Sequence, residues 1–556
     1  MDDSLPVGAT RATPAGRAEA WQALGAAPFD VLVVGGGITG AGVARDAALR
    51  GLRTALVEQA DFASGTSSRS SRLVHGGVRY LEHGELGLVF ESSAERRTLQ
   101  RIAPHLVRPL DFTWPVYAGA RVPRWKLAAG LTLYDLLALF RNVGRHERLN
   151  VARVLAREPR LRTEALLGGA RYWDAATDDS RLTLATARSA IAAGAVVLNH
   201  ARVVSLAVAD GRVTGARVID ASGGASTEVS ARVVVNAAGP WSDTVERMAH
   251  GTARPAVRGS KGVHVNVPHA RIGNTGALTL LAPSDGRVMF VLPAGEFTII
   301  GTTDTYETVD PDQVRASEAD VSYLLDAANH FFPSARLVRE DVVSAWAGLR
   351  PLKAEGDAGD PSAASREHAI AEQMPGLVTV TGGKLTTYRA MAREVVDAVE
   401  RSMGRRRSQA RTSRLPLAGG SIGDVAGAIS EAAALVGDGA VATRLVHAHG
   451  DAWREVWALA AADPALRERV DADRPYLLAE LAYAVRHELA LTLGDLLIRR
   501  VPLAFETRDH GRSAARRVAA PVASWRRWSA VEMRAAIAEY DAEVERMFRV
   551  EPRGAR

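Results

Sequence analysis

Two rhythms of apolar residues alternate along the chain. FDVLVV, residues 29–34, is a near-continuous apolar run suited to a strand covered on both faces. GGGITG follows, AGVARDAALRGL predicts a helix ended by Gly51, and RTALVE predicts a second buried strand, so the three form a βαβ unit. Further on, AVVLNHARVVSLAVADGRVTGARVID predicts consecutive strands joined by an Asp-Gly turn and leads into ARVVVNAAGPW. Over residues 263–303 strands and turns alternate (HVNV, ALTLLAP, RVMFVLP, FTIIGTTD). A long helical stretch begins after LVTVTGGKLTTYR, and from residue 410 the apolar spacing is that of helices.

Segments 29–75, 170–258 and 340–400 read as one discontinuous nucleotide-binding part, interrupted by a second part made of 76–169 and 259–339. Residues 410–556 predict a helical domain. Residues 1–28, rich in Ala, Gly and Thr without periodicity, are expected to form a mobile tail.

Composition narrows the class. At 556 residues the chain exceeds what one hydrophobic core supports, and 47% apolar with 24% charged residues is ordinary for a globular protein. No cysteine is present, which excludes disulfides, iron–sulfur clusters and a cysteinyl-linked cofactor. MDDSLPVGAT carries no apolar run, so no secretory signal is expected, and no stretch reaches the ~18 apolar residues of a membrane span. The net charge of +6 suits an anionic substrate or an anionic surface; no nucleic-acid signature accompanies it, so nucleic acid is not an expected partner. No metal is expected either: Asp304 in GTTDT and the pair Asp178–Asp179 read as turn caps.

Gly35-Gly36-Gly37-Ile38-Thr39-Gly40 matches G-x-G-x-x-G in the context that gives the pattern meaning. A buried strand precedes it, a helix follows, and Glu58 ends the next strand about 20 residues on. Gly35, Gly37 and Gly40 permit a tight turn and close approach of a pyrophosphate to the helix start at Ile38 and Thr39. Glu58 is suited to a ribose hydroxyl and disfavours a 2′-phosphate. Three further segments favour FAD over NAD. VVVNAAGPW ends in small residues where backbone passes a dinucleotide, at Ala238 and Gly239, with Trp241 beyond. TGGKLTT, with Gly383, Lys384, Leu385 and Thr386, opens a helix whose N-terminus suits a reduced, anionic flavin. SGTSSRSSR, with Thr66, Ser67, Ser68 and Ser71, is suited to wrapping the pyrophosphate and flavin ring, followed by His75, Gly76 and Gly77; Val203 completes the expected contacts. The expected fold class is α/β: a two-dinucleotide-binding-type FAD domain with an interleaved α+β substrate domain and a C-terminal all-α domain.

These segments together resemble the FAD-dependent glycerol-3-phosphate dehydrogenases of the aerobic, quinone-linked type. The resemblance rests on DVLVVGGGITGAGVARDAALRGLRTALVE, GTSSRSSRLVHGGVRYLEHGELGLV, VNAAGPW, GSKGVHVNV, FTIIGTTDT, AGLRPL, VTGGKLTTYR and YAVRHELALTLGDLLIRR, and spans residues 29–500. It departs at the N-terminal tail and in the arginine-rich end after residue 505. It implies noncovalent FAD, oxidation of sn-glycerol 3-phosphate to dihydroxyacetone phosphate by hydride transfer to flavin N5, and electron transfer to a membrane quinone. It also implies that Arg79, Arg350 and Lys384 converge on the substrate.

Such a reaction needs a phosphate clamp, a group for the hydroxyl proton and a dry flavin face. The candidates for contact with substrate are Arg79 and Tyr80 in HGGVRYLE, Arg350 in AGLRPL, and Lys384 with Thr386 in GGKLTT. His264 is the preferred base. His75 is the second choice, better suited to ordering the flavin loop; Arg350 or Lys384 stabilising an alkoxide is the other route. Leu127–Phe140 is an apolar helix with Arg121, Arg124 and Lys126 before it and Arg141, Arg145 and Arg148 after it. It suits peripheral attachment to an anionic membrane on the cytoplasmic side, or packing inside the substrate domain. The alternatives are a glycerol-3-phosphate oxidase using O2, an amine or hydroxy-acid oxidase, and a redox-responsive flavin-binding protein. A homodimer is a further possible partner state.

Overall fold

The computed structural model describes residues 14–552 apart from 79, 80, 82, 83, 140, 141, 252–256, 308 and 354–367. Its first sheet has eight strands, with the path Ala369–Met374, Leu377–Thr381, Ser226–Asn236, Phe29–Val34, Thr54–Val57, Val196–Leu198. The first pairing along that path is antiparallel and the other four are parallel. Val31, Leu32 and Val33 are fully buried because helices cover one face of this sheet and a β-hairpin layer the other. Helices Ile38–Leu49, Asp179–Ala192 and Tyr388–Ser402 form the helical cover. Asp178 caps the second of them by accepting from the Arg181 N–H at 3.0 Å, as its turn-cap reading expected.

The tail expected over residues 1–28 is, from Pro14 to Ala26, a packed helix. Leu24 is buried against the sheet, and Arg17 pairs with Asp220 at 3.1 Å and donates to the Asn199 carbonyl at 2.7 Å. Ala, Glu, Gln and Arg are good helix formers, but with Trp21 and Leu24 as the large apolar anchors the segment shows no apolar stripe.

The second sheet has ten strands and is mostly antiparallel. Its long pairing joins Val257–Pro268 to Ser344–Lys353, with His264 opposite Trp346 and Ser260 opposite Arg350. Strands Leu166–Ala176 and Ser344–Lys353 therefore belong to this sheet. The expected split had placed most of both in the nucleotide-binding segments. A ten-residue antiparallel register outweighs their neighbourhood in sequence.

Beyond residue 420, helices Val425–Val436, Gly439–His449, Trp453–Ala462, Leu478–His487, Arg512–Arg526 and Ala530–Phe548 build the C-terminal domain. It is fastened to the first sheet by buried charges. Asp61, just past the second strand, accepts from Arg499 at 2.8 Å, Arg500 at 2.7 Å and Asn199 at 2.9 Å. Arg181 makes a two-point pair with Glu488 at 2.8 Å. Asp61, His200 and Asp495 stand close enough to share a cation, but Arg499 and Arg500 already neutralise the two carboxylates. Removing one member of a buried pair strands the other, so Asp61→Ala is expected to cost about 3–5 kcal/mol. A fall of several degrees in Tm checks this; an unchanged Tm would show that the junction is not held by these charges. Among the described residues no helix is long and apolar enough to cross a membrane.

Candidate active site

The first βα turn is built by contacts that only glycine permits. Gly35 has φ +110°, and a Cβ on Gly40 would stand 1.9 Å from the Gly35 carbonyl oxygen. The N-cap residue of the helix that starts at Ile38 is Gly37, which has no side chain to cap the first turn, and that turn faces one large cavity lined by Gly35, Gly37, Ile38 and Thr39. Glu58 also lines this cavity, with its carboxylate accepting from the Gly36 N–H at 2.6 Å and the Ala60 N–H at 2.9 Å. It braces the turn, and burial raises its pKa against the pull of those two bonds.

From the loop after the second strand, Thr66, Ser67, Ser71, His75 and Gly77 line the same cavity. Ser67 Oγ accepts from the Ile38 N–H at 3.0 Å, tying this loop to the helix start. Val203, Ala238, Gly239 and Trp241 add a further wall, and Gly383, Lys384, Leu385 and Thr386 another. Thr386 Oγ1 accepts from the His75 N–H at 3.1 Å and meets its carbonyl at 3.2 Å, so the two loops read from distant parts of the sequence are joined. His75 lies 6.4 Å from Phe290, centroid to centroid.

Three expected contacts do not line the cavity. Gly40 lies behind Gly35, Ser68 Oγ turns back to the Gly65 carbonyl at 3.5 Å, and the Gly76 N–H donates to Asp174 at 2.9 Å. Arg79 and Tyr80 lie outside the described residues.

The second sheet supplies the reactive wall. His264 is 2% exposed, stacks on Trp346 at 5.5 Å and 14°, and places Nε2 2.9 Å from Ser71 Oγ. Its Nδ1 has no hydrogen-bond partner among the described groups. Burial first, then the Arg350 and Arg72 charges, push its pKa down to about 3, so the ring is neutral at pH 7. Arg350 lines the cavity beside it, donating to Asp304 at 3.1 Å and to Thr302 Oγ1 at 3.1 Å. Asp304 thus corrects its reading as a turn cap: it accepts from Ser260 and Arg350 and holds the guanidinium in place. Asp179, of the other expected pair, accepts from the Ser70 hydroxyl at 2.7 Å and its N–H at 3.1 Å.

Sequence reasoning missed the aromatic side of the cavity, Phe112, Trp114, Tyr172 and Phe290, and the buried Asp174 beside it. These residues sit on alternating strand positions that read as ordinary core. Asp174 also takes hydrogen bonds from Arg96 and, at 2.6 Å, from Tyr134.

Residues 30–398 match the model of the family described as FAD dependent oxidoreductase, and residues 410–533 match the C-terminal domain of alpha-glycerophosphate oxidase. The chain is 42% identical over 542 residues to glycerol-3-phosphate dehydrogenase 2 of Mycobacterium tuberculosis, covering 96% of this chain and 91% of that protein. The chain belongs to the FAD-dependent glycerol-3-phosphate dehydrogenase family. The aerobic glycerol-3-phosphate dehydrogenase of Staphylococcus aureus is 35% identical over 484 residues, covering 85% of this chain and 86% of that protein. Among solved structures, the Bacillus halodurans glycerol-3-phosphate dehydrogenase complexed with FAD superposes with a TM-score of 0.79 at 32% identity, covering 97% of this chain and 100% of that one. The fold is that of this family: an α/β FAD-binding architecture with a C-terminal helical domain.

The cofactor of the family is FAD. The cavity fits it on its own chemistry. It has a helix start with glycine at its N-cap for a pyrophosphate, an acid at the end of the neighbouring strand, and a buried Trp241 Nε1 on the wall with no acceptor among the described residues.

Proposed function

We propose that this chain oxidises sn-glycerol 3-phosphate to dihydroxyacetone phosphate on noncovalently held FAD and delivers the electrons to a membrane quinone. The observation that carries the reading is the pairing, on one cavity, of a braced guanidinium and an ammonium, Arg350 and Lys384, with a buried neutral imidazole, His264. Bound FAD supplies the two-electron acceptor. Arg350, held by Asp304 and Thr302, lines the cavity and offers its guanidinium charge to the substrate anion, and Lys384 adds the second charge. His264 accepts the proton of the C2 hydroxyl, and the aromatic side of the cavity excludes water from the reacting carbon. Thr386 keeps the His75 turn against the Lys384 loop. Arg79 and Tyr80 are proposed as substrate contacts from sequence alone.

A quinone acceptor is supported by the outer face of helix Arg124–Leu137. Leu127, Leu131 and Tyr134 are buried in the core beneath, while Trp125 is 74% and Leu136 53% exposed, with Leu139 and Val143 just beyond the helix end also exposed. Arg121, Arg124 and Lys126 precede this face and Arg145 and Arg148 follow it, the arrangement that suits peripheral attachment to the inner, anionic face of the cell membrane. The triple replacement Trp125→Ser, Leu136→Ser and Leu139→Ser is expected to abolish co-sedimentation with anionic vesicles at low salt and to leave anaerobic flavin reduction unchanged. Equal sedimentation of both proteins would remove the membrane from the account.

Oxygen is the second reading for the acceptor, favoured by the match of residues 410–533 to an oxidase C-terminal domain. Turnover with glycerol 3-phosphate, measured in parallel as peroxide formed in air and as quinone analogue reduced, separates the two. The dehydrogenase reading requires the quinone analogue to be reduced with little peroxide; the reverse ratio overturns it.

A further inference from the structure

The C-terminal domain reaches the active site. Its short helix Leu503–Glu506 docks on the strand pair that carries His264. The Phe505 carbonyl accepts from Asn266 Nδ2 at 3.0 Å and from Ser344 Oγ at 2.6 Å, and these two residues are themselves a register pair. Two residues along the same strands lies the His264–Trp346 pair. The Phe505 ring meets the Trp346 indole edge to face, at 5.1 Å and 88°, and Phe548 closes behind it at 5.0 Å. The Arg72 guanidinium, next in sequence to the Ser71 that bonds His264, lies 4.8 Å over Phe505 and 5.8 Å from Trp346.

Trp346 is 1% exposed, and its indole N–H has no hydrogen-bond partner among the described residues. Packing therefore sets the plane of the indole, with the Phe505 edge against it and the Arg72 guanidinium near both rings. That plane is what the imidazole stacks on, and the one hydrogen bond it makes among the described residues, to Ser71, leaves rotation about that bond free. We propose that Phe505 of the C-terminal domain is a positioning residue of the active site, acting through Trp346 on the ring plane of His264. The inference rests on His264 being the base. It gives the C-terminal domain a part in the chemistry as well as in assembly.

The test uses the holoenzyme and the single-turnover rate of anaerobic flavin reduction at saturating glycerol 3-phosphate, with substrate affinity and FAD content taken from the same titration. Phe505→Leu keeps an apolar side chain but removes the aromatic edge. Because a small misplacement of a reacting group is costly, it is expected to slow reduction about tenfold, with affinity and FAD content held. In a His264→Asn background, Phe505→Leu is expected to add nothing, since a residue acting through His264 has nothing left to position. Trp346→Leu is expected to be slower than Trp346→Phe, which keeps a ring over the imidazole. A wild-type rate in Phe505→Leu, an equal loss in both backgrounds, or equal rates in the two Trp346 variants overturns the inference and leaves the base assignment standing. A wild-type rate in His264→Asn overturns the base assignment and the inference with it.

Discussion

Arg350→Ala is expected to abolish useful turnover of glycerol 3-phosphate while leaving FAD bound. The guanidinium lines the cavity, with Nη1 on Asp304 and Nη2 on Thr302, so its position is set before substrate arrives. Truncating one side of a partly desolvated charge contact costs about 2–5 kcal/mol, roughly 30- to 5000-fold in kcat/KM. FAD content should not change, because the Gly36–Glu58 and Ile38–Ser67 hydrogen bonds that shape the first βα turn do not involve Arg350. Arg350→Lys should recover little: a single ammonium cannot hold Asp304 and Thr302 together and still present a fork to an anion. Asp304, 5% exposed, loses its ion pair with residue 350 in Arg350→Ala, so a modest fall in Tm accompanies the kinetic loss there. Retained kcat/KM in Arg350→Ala would remove the phosphate clamp from the account.

His264→Asn is expected to slow flavin reduction about 10²–10⁴-fold, the usual contribution of a positioned base. Its pH signature follows from the direction of the shift. Burial and the neighbouring guanidiniums disfavour the imidazolium, so the ring stays in its basic form as pH falls from 7 through 6.5 and titrates only near 3. The kcat of the wild-type protein should therefore show no one-proton fall centred near 6.5. The same shift acts on stability. Below pH 6.5 the unfolded chain takes up a proton that the folded chain refuses, so this contribution is fully present above 6.5 and is lost as pH falls toward 3. His105, also driven down to about 3 by burial, adds a loss of the same sign. Urea midpoints between pH 7 and 4 should fall more steeply for the wild type than for His264→Asn. A kcat limb near 6.5 that disappears in His264→Asn would show an ordinary, solvated imidazole instead.

The parts of this site that the sequence displayed are those where backbone geometry dictates residue type. A turn that lets the helix start approach a dinucleotide demands glycine at 35 and 40, and the buried parallel strands on either side demand continuous apolar runs, so the βαβ unit is visible before any contact is known. Lys384 and Arg350 were recognisable because they stand in motifs rich in Gly and Pro. What escaped was set by register and by long-range pairing. Asp304 looks like a turn residue until Ser260 and Arg350 are placed opposite one another across the two strands. The aromatic side of the cavity alternates along strands that would read the same in any sandwich core. The helix Pro14–Ala26 hides because its burial depends on a few side chains against a sheet formed from distant segments. Phe505 carries no local sign of the active site, since its role depends on where the C-terminal domain docks.

Adding glycerol 3-phosphate to the oxidised holoenzyme without oxygen tests the central claim most directly. The account predicts rapid loss of the visible flavin band in the wild type, and persistence of the band in Arg350→Ala with the same FAD content. A wild-type band that survives saturating substrate would contradict it, and would leave a flavin-binding chain whose cations serve some other purpose.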